Sequence, residues 1–376
     1  MDNNHNFSNE TVDLYSFSEP QKEGNSKRLA IRKKVNIIAS IVLAISIFLT
    51  SVMGAGIWVL SQKINDDSSK ESGDFEDLMY SGSSKASYIL VVGVDPAESL
   101  TDIIIVACID HEKNTLNFLQ IPRDTYIGDD VPTKKINAVH GNPRKGEKNI
   151  NALRRRISSY FGIPLDHYVK FTIRGFSNVI DALGGVEVNI ETPNKNGITI
   201  ADPFTFELET VGPGPTLLTG PQAVGFVRKR TGVKDGYVKG DIDRIEAQRE
   251  VYVGLAKKLK SMSIGQMTTI AKNCYNEVAT DMSISQILGY ATEVRSIPME
   301  GMCIYAVPGQ FANYNGLSMW SPHKDEYVQI FNTYFNPYGT PITVNDIQMI
   351  ELHKKLGIST RPSEVNQGGT LSNVKK

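Results

Sequence analysis

A long uncharged run near the N-terminus constrains the topology of this chain more than any other feature. Residues 35–60, VNIIASIVLAISIFLTSVMGAGIWVL, contain no charged side chain. A helix needs about 20 consecutive apolar residues to cross the hydrocarbon core of a bilayer, so this run predicts one transmembrane helix. A cleaved signal peptide is the alternative, since the small residues at 54–56 suit a peptidase. The long polar segment before the run favours an uncleaved signal anchor.

The charges on either side of this run predict its orientation. The basic residues before it are Lys27, Arg28, Arg32, Lys33 and Lys34. By the positive-inside rule, residues 1–34 then lie in the cytoplasm and the bulk of the chain lies outside the cell. Residues 61–85 are acidic and serine-rich, with too little apolar surface to offset the entropy of ordering them. They predict a flexible extracellular linker.

Folded character begins at residue 86 and continues to about 335. SYILVVGVD, TDIIIVACID and TLNFLQIPRD are β-branched runs that end in turn or charged residues, so they predict three strands buried on both faces. Helices and strands intermix along the rest of this domain, which favours an α/β fold with a central mixed sheet flanked by helices on both faces. In the C-terminal extension, residues 336–376, TVNDIQMIELHKKL predicts an amphipathic helix. The polar tail after Pro362 predicts disorder.

Composition excludes one broad class of function. The 376 residues carry a formal net charge of -1, and 40% of them are hydrophobic, which is enough for a substantial core. The sequence contains no helix-turn-helix signature, no zinc-finger spacing and no basic arm beside a folded domain. We therefore expect no nucleic-acid partner, and any anion site is local.

Residues 227–248, VRKRTGVKDGYVKGDIDRIEAQ, concentrate charge around a predicted helix start. Arg228, Arg230 and Arg244 lie there among aspartates, and the planar fork of arginine matches two phosphate oxygens at once. On the helix that follows, Gln248 falls inside the apolar stripe. A buried amide needs a partner, which is either a protein group or a ligand. A solvated charged loop is the alternative interpretation of this run.

A second set of polar residues lies at the ends of predicted strands. Asp95 ends the first strand, Asp102 opens the second, and Arg123 and Asp124 end the third. Strand ends are where open α/β sheets bind ligands, so these side chains can meet at one edge of a sheet. Each also has a local explanation as a turn residue or an ion pair. Together with the arginines they predict an anion and metal site.

The order of these motifs resembles the LytR-CpsA-Psr family of cell-envelope proteins over roughly Tyr88 to Phe335. The matching segments are LVVGVD, TD before an apolar strand, IPRDTY, KINAVH, GIPLDHYVKF, VIDALGGVEV, LLTGPQAVGFVRKR and GDIDRIEAQ. The resemblance implies an apolar cavity for a polyprenyl chain. It also implies a membrane-anchored extracellular phosphotransferase, which moves a glycopolymer such as teichoic acid or capsular polysaccharide from a polyprenyl-pyrophosphate carrier to a peptidoglycan acceptor.

The same resemblance implies roles for single residues. The side chains implied to contact or support the pyrophosphate are Arg123, Arg228, Arg230, Arg244 and Gln248. Asp95 and Asp102 would hold Mg²⁺ or Mn²⁺. The catalytic residues would be Arg123, Asp102 and Arg244, and either Asp102 or Asp241 would take the proton of the attacking hydroxyl.

The chain departs from the family pattern in two places. The loop between Asp95 and Asp102 is only PAESLT and lacks the arginines that family members usually carry there. Ala247 stands where the family usually has a further arginine. The basic residues that could compensate are Lys134, Lys135, Lys229 and Lys239. These losses leave an alternative function open, a non-catalytic or regulatory envelope protein that binds lipid-linked polymer and resembles the family's transcriptional attenuators.

Overall fold

The computed structural model describes residues 85–192, 196–229, 232, 241–275, 278–365 and 368–371. The predicted cytoplasmic segment, transmembrane helix and linker up to residue 84 lie outside this set, as do Arg230 and Lys239. In the part that is described, no helix has both the length and the apolar character needed to cross a bilayer.

Strands and helices are intermixed along the described chain. The strands are β1 (Ala86–Val94), β2 (Thr101–Asp110), β3 (Thr115–Gln120), β4 (His167–Thr172), β5 (Val186–Ile190), β6 (Ile198–Ala201), β7 (Leu208–Val211), β8 (Gly214–Leu218), β9 (Ala279–Thr280), β10 (Met302–Ala306), β11 (Gly309–Tyr314), β12 (Leu317–Pro322) and β13 (Gly369–Thr370). The α-helices are α1 (Asn149–Phe161), α2 (Ile173–Ala182), α3 (Gly220–Arg228), α4 (Asp241–Lys260), α5 (Ile264–Cys274), α6 (Ile284–Ser296), α7 (Lys324–Tyr334) and α8 (Leu352–Lys355).

A mixed sheet lies at the centre of these elements, with the strand order β13-β10-β3-β2-β1-β4-β9. The first three strands form an antiparallel meander, whereas β4 runs parallel to β1 and β10 runs parallel to β3. Three two-stranded sheets, β5-β8, β6-β7 and β11-β12, complete the described strands. The predicted α/β fold with a central mixed sheet is therefore confirmed.

The central sheet separates two hydrophobic layers because side chains alternate along each strand. On β1, Ile89 and Val91 belong to the layer formed with α2 to α6, while Leu90 and Val92 belong to the layer formed with α1 and α7. Every residue of β1 is buried. Burial on both faces explains why β1 has a continuous apolar sequence rather than an alternating one.

The C-terminal extension departs from the helix that its sequence predicts. The helix predicted across TVNDIQMIELHKKL is reduced to α8. Before α8 the chain is irregular, and Ile347 and Met349 are buried while Gln348 between them is exposed. That spacing of two residues suits an extended segment lying on a core surface. The hydroxyl of Tyr160 on α1 accepts a bond of 2.9 Å from the Ile350 N–H and so attaches the segment to the domain.

The expected disorder after residue 362 is wrong for the part of the tail that the structure describes. Residues 369–370 form β13, which pairs antiparallel with β10. Val365 and Leu371 are buried. Strand pairing satisfies backbone polar groups, and two buried aliphatic side chains add apolar contact that overall composition does not reveal.

Replacing Leu352 with alanine tests whether the extension is part of the hydrophobic core. Leu352 is 0% exposed, whereas Leu356, one turn later, is 36% exposed. We expect Leu352→Ala to lower the free energy of unfolding by roughly 2–5 kcal/mol in urea denaturation. Leu356→Ala, the matched control, should change it by less than about 0.5 kcal/mol. Equally small effects would show that the extension adds nothing to the core.

Candidate functional site

A cavity of about 480 Å³ lies where the ends of β1 to β4 meet α2, α3 and α4. Its polar lining consists of Asp102, Arg123, Arg228, Arg244 and Gln248. Its apolar lining includes Ile103, Phe171, Ile173, Phe176, Val224 and Val227. The fold therefore brings together both sets of polar residues that the sequence singles out, although more than a hundred positions separate them along the chain.

Asp102 and Arg123 form an ion pair inside this cavity. The Nη1 of Arg123 donates to Oδ1 of Asp102. Ile105 of β2 pairs with Gln120 of β3, so residues 102 and 123 come together just beyond the paired region. Their side chains are 21% and 16% exposed, which partly shields the pair from water and strengthens the attraction between the two charges.

A second carboxylate supports Arg123 from outside the cavity. Asp124 Oδ1 lies 3.9 Å from Nε of Arg123 and 3.0 Å from Nζ of Lys135. Two acidic side chains thus flank one guanidinium and restrict its orientation. Asp124 was among the residues expected at this sheet edge, and the structure places it beside Arg123 but not in the cavity lining.

Gln248 has two protein partners, which meets the expectation that a buried amide is satisfied. Gln120 Nε2 donates to Gln248 Oε1 at 2.7 Å, and Gln248 Nε2 donates to the carbonyl oxygen of Val227 at 3.3 Å. These bonds connect α4 to β3 and to α3. The sequence gives no sign of the part played by Gln120, because a polar residue at the end of a strand is ordinary.

Helix α3 carries Arg228 to the cavity. Thr219 and Gln222 form a capping box at its start, with Pro221 in the first turn, which is a strong local signal for helix initiation. This short helix ends at the start of the charged run of residues 227–248. Arg228 is the last helical residue and is exposed, whereas Arg230 lies outside the described residues.

Helix α4 presents Arg244 and Gln248 to the cavity from one face, since residues four apart lie one above the other on a helix. Ala247 is 6% exposed and belongs to the main hydrophobic core. Arg249 is 2% exposed and is absent from the cavity lining. Burial lowers the pKa of Arg249, with Glu246 opposing that shift, and burial raises the pKa of the nearby Tyr252 hydroxyl.

Asp95 is not part of the cavity lining. Its Oδ1 accepts backbone hydrogen bonds from Ser99 at 2.8 Å and Leu100 at 2.9 Å, so the carboxylate organises the short loop that follows β1. Its role as a metal ligand stays a prediction.

The described lysines that could replace the missing arginines have other partners. Lys134 contacts Asp129 at 2.6 Å, and Lys229 donates to the carbonyl oxygen of Thr199 at 2.6 Å. Lys135 forms an ion pair with Asp124, and Asp124 in turn lies beside Arg123. Of these three lysines, Lys135 is the one whose ion-pair partner also contacts a cavity-lining arginine.

Two phenylalanines form the aromatic part of the cavity wall. The rings of Phe171 and Phe176 stack with centroids 5.5 Å apart. Gly93 on β1 makes room for them, because a Cβ at that position would lie 3.0 Å from the Phe171 ring. No spacing in the sequence predicts this wall, since both residues read as ordinary core positions.

Asp102 is the acidic residue in the cavity lining that could hold a divalent metal. Among the residues that the structure describes, no group of three or more metal-binding side chains occurs. Mg²⁺ commonly uses one or two carboxylates and completes its shell with water and substrate phosphates. A carboxylate beside an anion-binding surface therefore fits a cation that is shared with a phosphorylated ligand.

Comparison with known proteins identifies the family. The model of the LytR_cpsA_psr family matches residues 58–336. The chain belongs to the LytR-CpsA-Psr family. It is 27% identical over 324 residues to the polyisoprenyl-teichoic acid–peptidoglycan teichoic acid transferase TagV of Bacillus subtilis, an alignment that covers 81% of this chain and 76% of TagV. It is also 27% identical over 241 residues to the cell wall biosynthesis protein LcpA of Corynebacterium glutamicum, covering 57% and 44% of the two chains.

Solved structures share the fold of this LytR-CpsA-Psr protein. The crystal structure of B. subtilis TagV superposes with a TM-score of 0.56 at 22% identity, covering 69% of this chain and 99% of TagV. The structure of TagT bound to LIIa-WTA superposes with a TM-score of 0.55 at 18% identity, covering 73% and 98%. The family and fold expected from the sequence motifs are thus confirmed.

Proposed function

We propose that this protein is a phosphotransferase that moves a glycopolymer from a polyprenyl-pyrophosphate carrier to peptidoglycan. The observation that carries the proposal is that one cavity is lined both by three arginines, Arg123, Arg228 and Arg244, and by the aromatic rings of Phe171 and Phe176. A polyprenyl pyrophosphate likewise combines an anionic head with an apolar chain. The printed names of TagV and of TagU from Enterococcus faecalis describe teichoic acid transfer from polyisoprenyl carriers to peptidoglycan.

The cationic and the apolar side chains that line the cavity suit the two parts of this donor. Arginine pairs with phosphate oxygens through parallel hydrogen bonds, which orient the pyrophosphate as well as hold it. The apolar lining excludes water from the first isoprene units, and each buried methylene contributes about 0.8 kcal/mol. A volume of about 480 Å³ is in the usual range for a small-molecule site. It accommodates the head of the donor and leaves most of a long lipid outside.

The proposed reaction is a displacement at the sugar-linked phosphorus. A bond forms between an acceptor hydroxyl oxygen and that phosphorus, and the bond from phosphorus to the bridging oxygen breaks. Polyprenyl phosphate leaves with the bonding electron pair, and the hydroxyl proton passes to a base, for which Asp102 and Asp241 are the candidates. The side chain of Asp241 lies outside the described residues.

Charge stabilisation is the main task of the residues around this reaction. Arg123 and Arg244 approach from different elements, so they can neutralise oxygens of both phosphates as negative charge shifts toward the leaving group. The ion pair with Asp102 holds Arg123 in position before substrate arrives. A bound Mg²⁺ or Mn²⁺, held by Asp102 and with Asp95 as the proposed second carboxylate, would supply further positive charge.

We also propose that residues 35–60 anchor the protein in the cell membrane with its N-terminus in the cytoplasm. The uncharged run and the basic residues before it support this topology. Residues 61–85 would then tether the domain outside the cell, where both the lipid-linked donor and peptidoglycan are accessible.

A transfer assay with the full-length chain in detergent tests the proposal. The reaction contains a lipid pyrophosphate-linked sugar, a peptidoglycan acceptor and Mg²⁺ or Mn²⁺, and we expect a sugar–peptidoglycan conjugate with one polyprenyl phosphate released for each bond formed. Chelation with EDTA should remove the activity, and adding the metal back should restore it. Activity that persists in EDTA would contradict the metal requirement but not the transferase function.

A non-catalytic protein that binds lipid-linked polymer is the second candidate function. It is favoured by Ala247, which is packed in the core where the family usually supplies an arginine. Donor binding without conjugate formation under every metal tested would support this candidate over the transferase.

A further inference from the structure

A second cavity of about 400 Å³ lies next to the first, and Arg228 lines both. Its walls are the β6–β7 hairpin and the C-terminal end of α3. An occupant of the second cavity is therefore adjacent to the side chain that we propose as a phosphate ligand. None of the sequence motifs that define the family covers the hairpin.

The hairpin loop is held in a defined conformation. Oδ1 of Asp202 accepts backbone hydrogen bonds from Phe204 at 2.7 Å and Thr205 at 2.8 Å, and the Asp202 carbonyl accepts one from Phe206 at 3.0 Å. Phe206 has a φ of 63°, in the left-handed region that bulky residues avoid. The loop bonds compensate for this strained backbone and fix the direction in which the Phe206 ring is presented.

The hairpin is also seated firmly on α3. Gly225 permits the close approach, because a Cβ there would lie 2.7 Å from the carbonyl oxygen of Ala201. Lys229 Nζ donates to the carbonyl oxygen of Thr199 at 2.6 Å and joins the end of the helix to β6. These contacts keep the second cavity in a fixed position relative to Arg228.

The second cavity combines exposed apolar side chains with charged ones. Phe206 is 81% exposed and Leu208 is 73% exposed, and both line the cavity together with Arg228 and Lys229. Apolar side chains exposed side by side commonly mark a binding surface. A sugar ring matches this lining, since its C–H face stacks on an aromatic ring while its hydroxyl groups reach polar neighbours.

We propose that the second cavity is a saccharide subsite, in which a sugar ring stacks on Phe206 while Arg228 contacts the adjacent phosphate. The inference rests on the proposed transferase function and extends it by naming where carbohydrate binds. The sugar belongs either to the donor, directly beyond its pyrophosphate, or to the peptidoglycan acceptor. The two sources share the same chemistry at this surface, so the experiment must separate them.

Binding measurements on full-length Phe206→Ala in detergent test the subsite with three probes. The first is polyprenyl pyrophosphate without sugar, the second is the same lipid carrying a disaccharide, and the third is a soluble peptidoglycan glycan fragment. We expect about a tenfold loss of affinity for the second or the third probe, the size expected for one aromatic contact and its buried area. Affinity for the sugar-free lipid should stay within about twofold, since Phe206 does not line the first cavity.

The pattern of losses identifies the source of the sugar. A loss confined to the disaccharide lipid assigns the subsite to the donor, and a loss confined to the glycan fragment assigns it to the acceptor. Phe206→Trp should restore binding, because it keeps an aromatic face. Leu317→Ala, which removes a 45% exposed apolar side chain from the β11–β12 hairpin, is the matched control and should change none of the three affinities.

Two outcomes would overturn the subsite. One is unchanged affinity of Phe206→Ala for both sugar-containing probes, and the other is an equal loss for all three. Failure of the proposed function has a different signature, which is a wild-type chain that does not bind the sugar-free polyprenyl pyrophosphate. If that protein still bound saccharide and lost this binding in Phe206→Ala, the saccharide subsite would stand and the transferase function would not.

Discussion

Replacing Arg123 with alanine is expected to lower the rate of glycopolymer transfer by about a hundredfold or more. The substitution removes a guanidinium from the cavity and leaves the Asp102 carboxylate without its ion-pair partner. The negative charge of Asp102, no longer paired with the guanidinium of Arg123, would then repel the pyrophosphate. The loss should appear in kcat as well as in KM, because charge on the phosphoryl oxygens is redistributed in the transition state.

Arg155 provides the matched control for this substitution. It also forms an ion pair with a carboxylate, at 2.9 Å from Glu147, and its side chain is 24% exposed compared with 16% for Arg123. It lies on α1 and does not line the cavity. Arg155→Ala should therefore keep activity within about twofold of wild type. If a folded Arg123→Ala variant turned over substrate at the wild-type rate, the reaction could not take place in this cavity as proposed.

Substituting Arg244 is expected to weaken binding of polyprenyl pyrophosphate by more than tenfold, whereas substituting Arg249 should leave it nearly unchanged. A charge-assisted hydrogen bond contributes about 1.5–3 kcal/mol, which corresponds to a tenfold to hundredfold change in affinity. Arg244 lines the cavity and Arg249 does not. Isothermal titration calorimetry on Arg244→Ala and Arg249→Met measures the difference, with methionine chosen because it retains apolar volume.

The Arg249 variant has a second expected phenotype. Because Arg249 is almost completely buried, its replacement should change the midpoint of thermal unfolding without changing the affinity of the folded protein. Arg244 is 3% exposed, so Arg244→Ala should also change the midpoint of thermal unfolding, and the loss of affinity is what distinguishes it from the Arg249 variant. Equal losses of affinity in the two variants would mean that the face of α4 turned toward the pyrophosphate is wrongly assigned.

Periodicity and motif order predict the central elements well. The run TDIIIVACID matches β2 residue for residue, because a strand buried on both faces has a continuous apolar sequence with clear ends. The polar residues of the site are also predictable from the sequence. Arginine and aspartate next to buried strands stand out, and the antiparallel meander brings Asp102 and Arg123 together as expected.

The features that the sequence does not predict depend on tertiary contacts. Gln120 contributes by donating a hydrogen bond to Gln248, which lies on a helix far along the chain. Phe171 and Phe176 line the cavity, but nothing in the sequence around them distinguishes them from other core phenylalanines. The β6–β7 hairpin has strands of four residues, too short for a reliable pattern. The extension after residue 335 folds along the domain surface, where packing outweighs intrinsic helix propensity.

The short β13 strand has a consequence for the self-association of the domain. It covers one edge of the central sheet, and the opposite edge is formed by β9, which is also two residues long. Long unpaired edge strands allow a second chain to add by backbone hydrogen bonding, and very short ones provide little template for it. The tail thus protects the domain against edge-to-edge aggregation, so removing residues 366–376 should expose β10 and promote self-association.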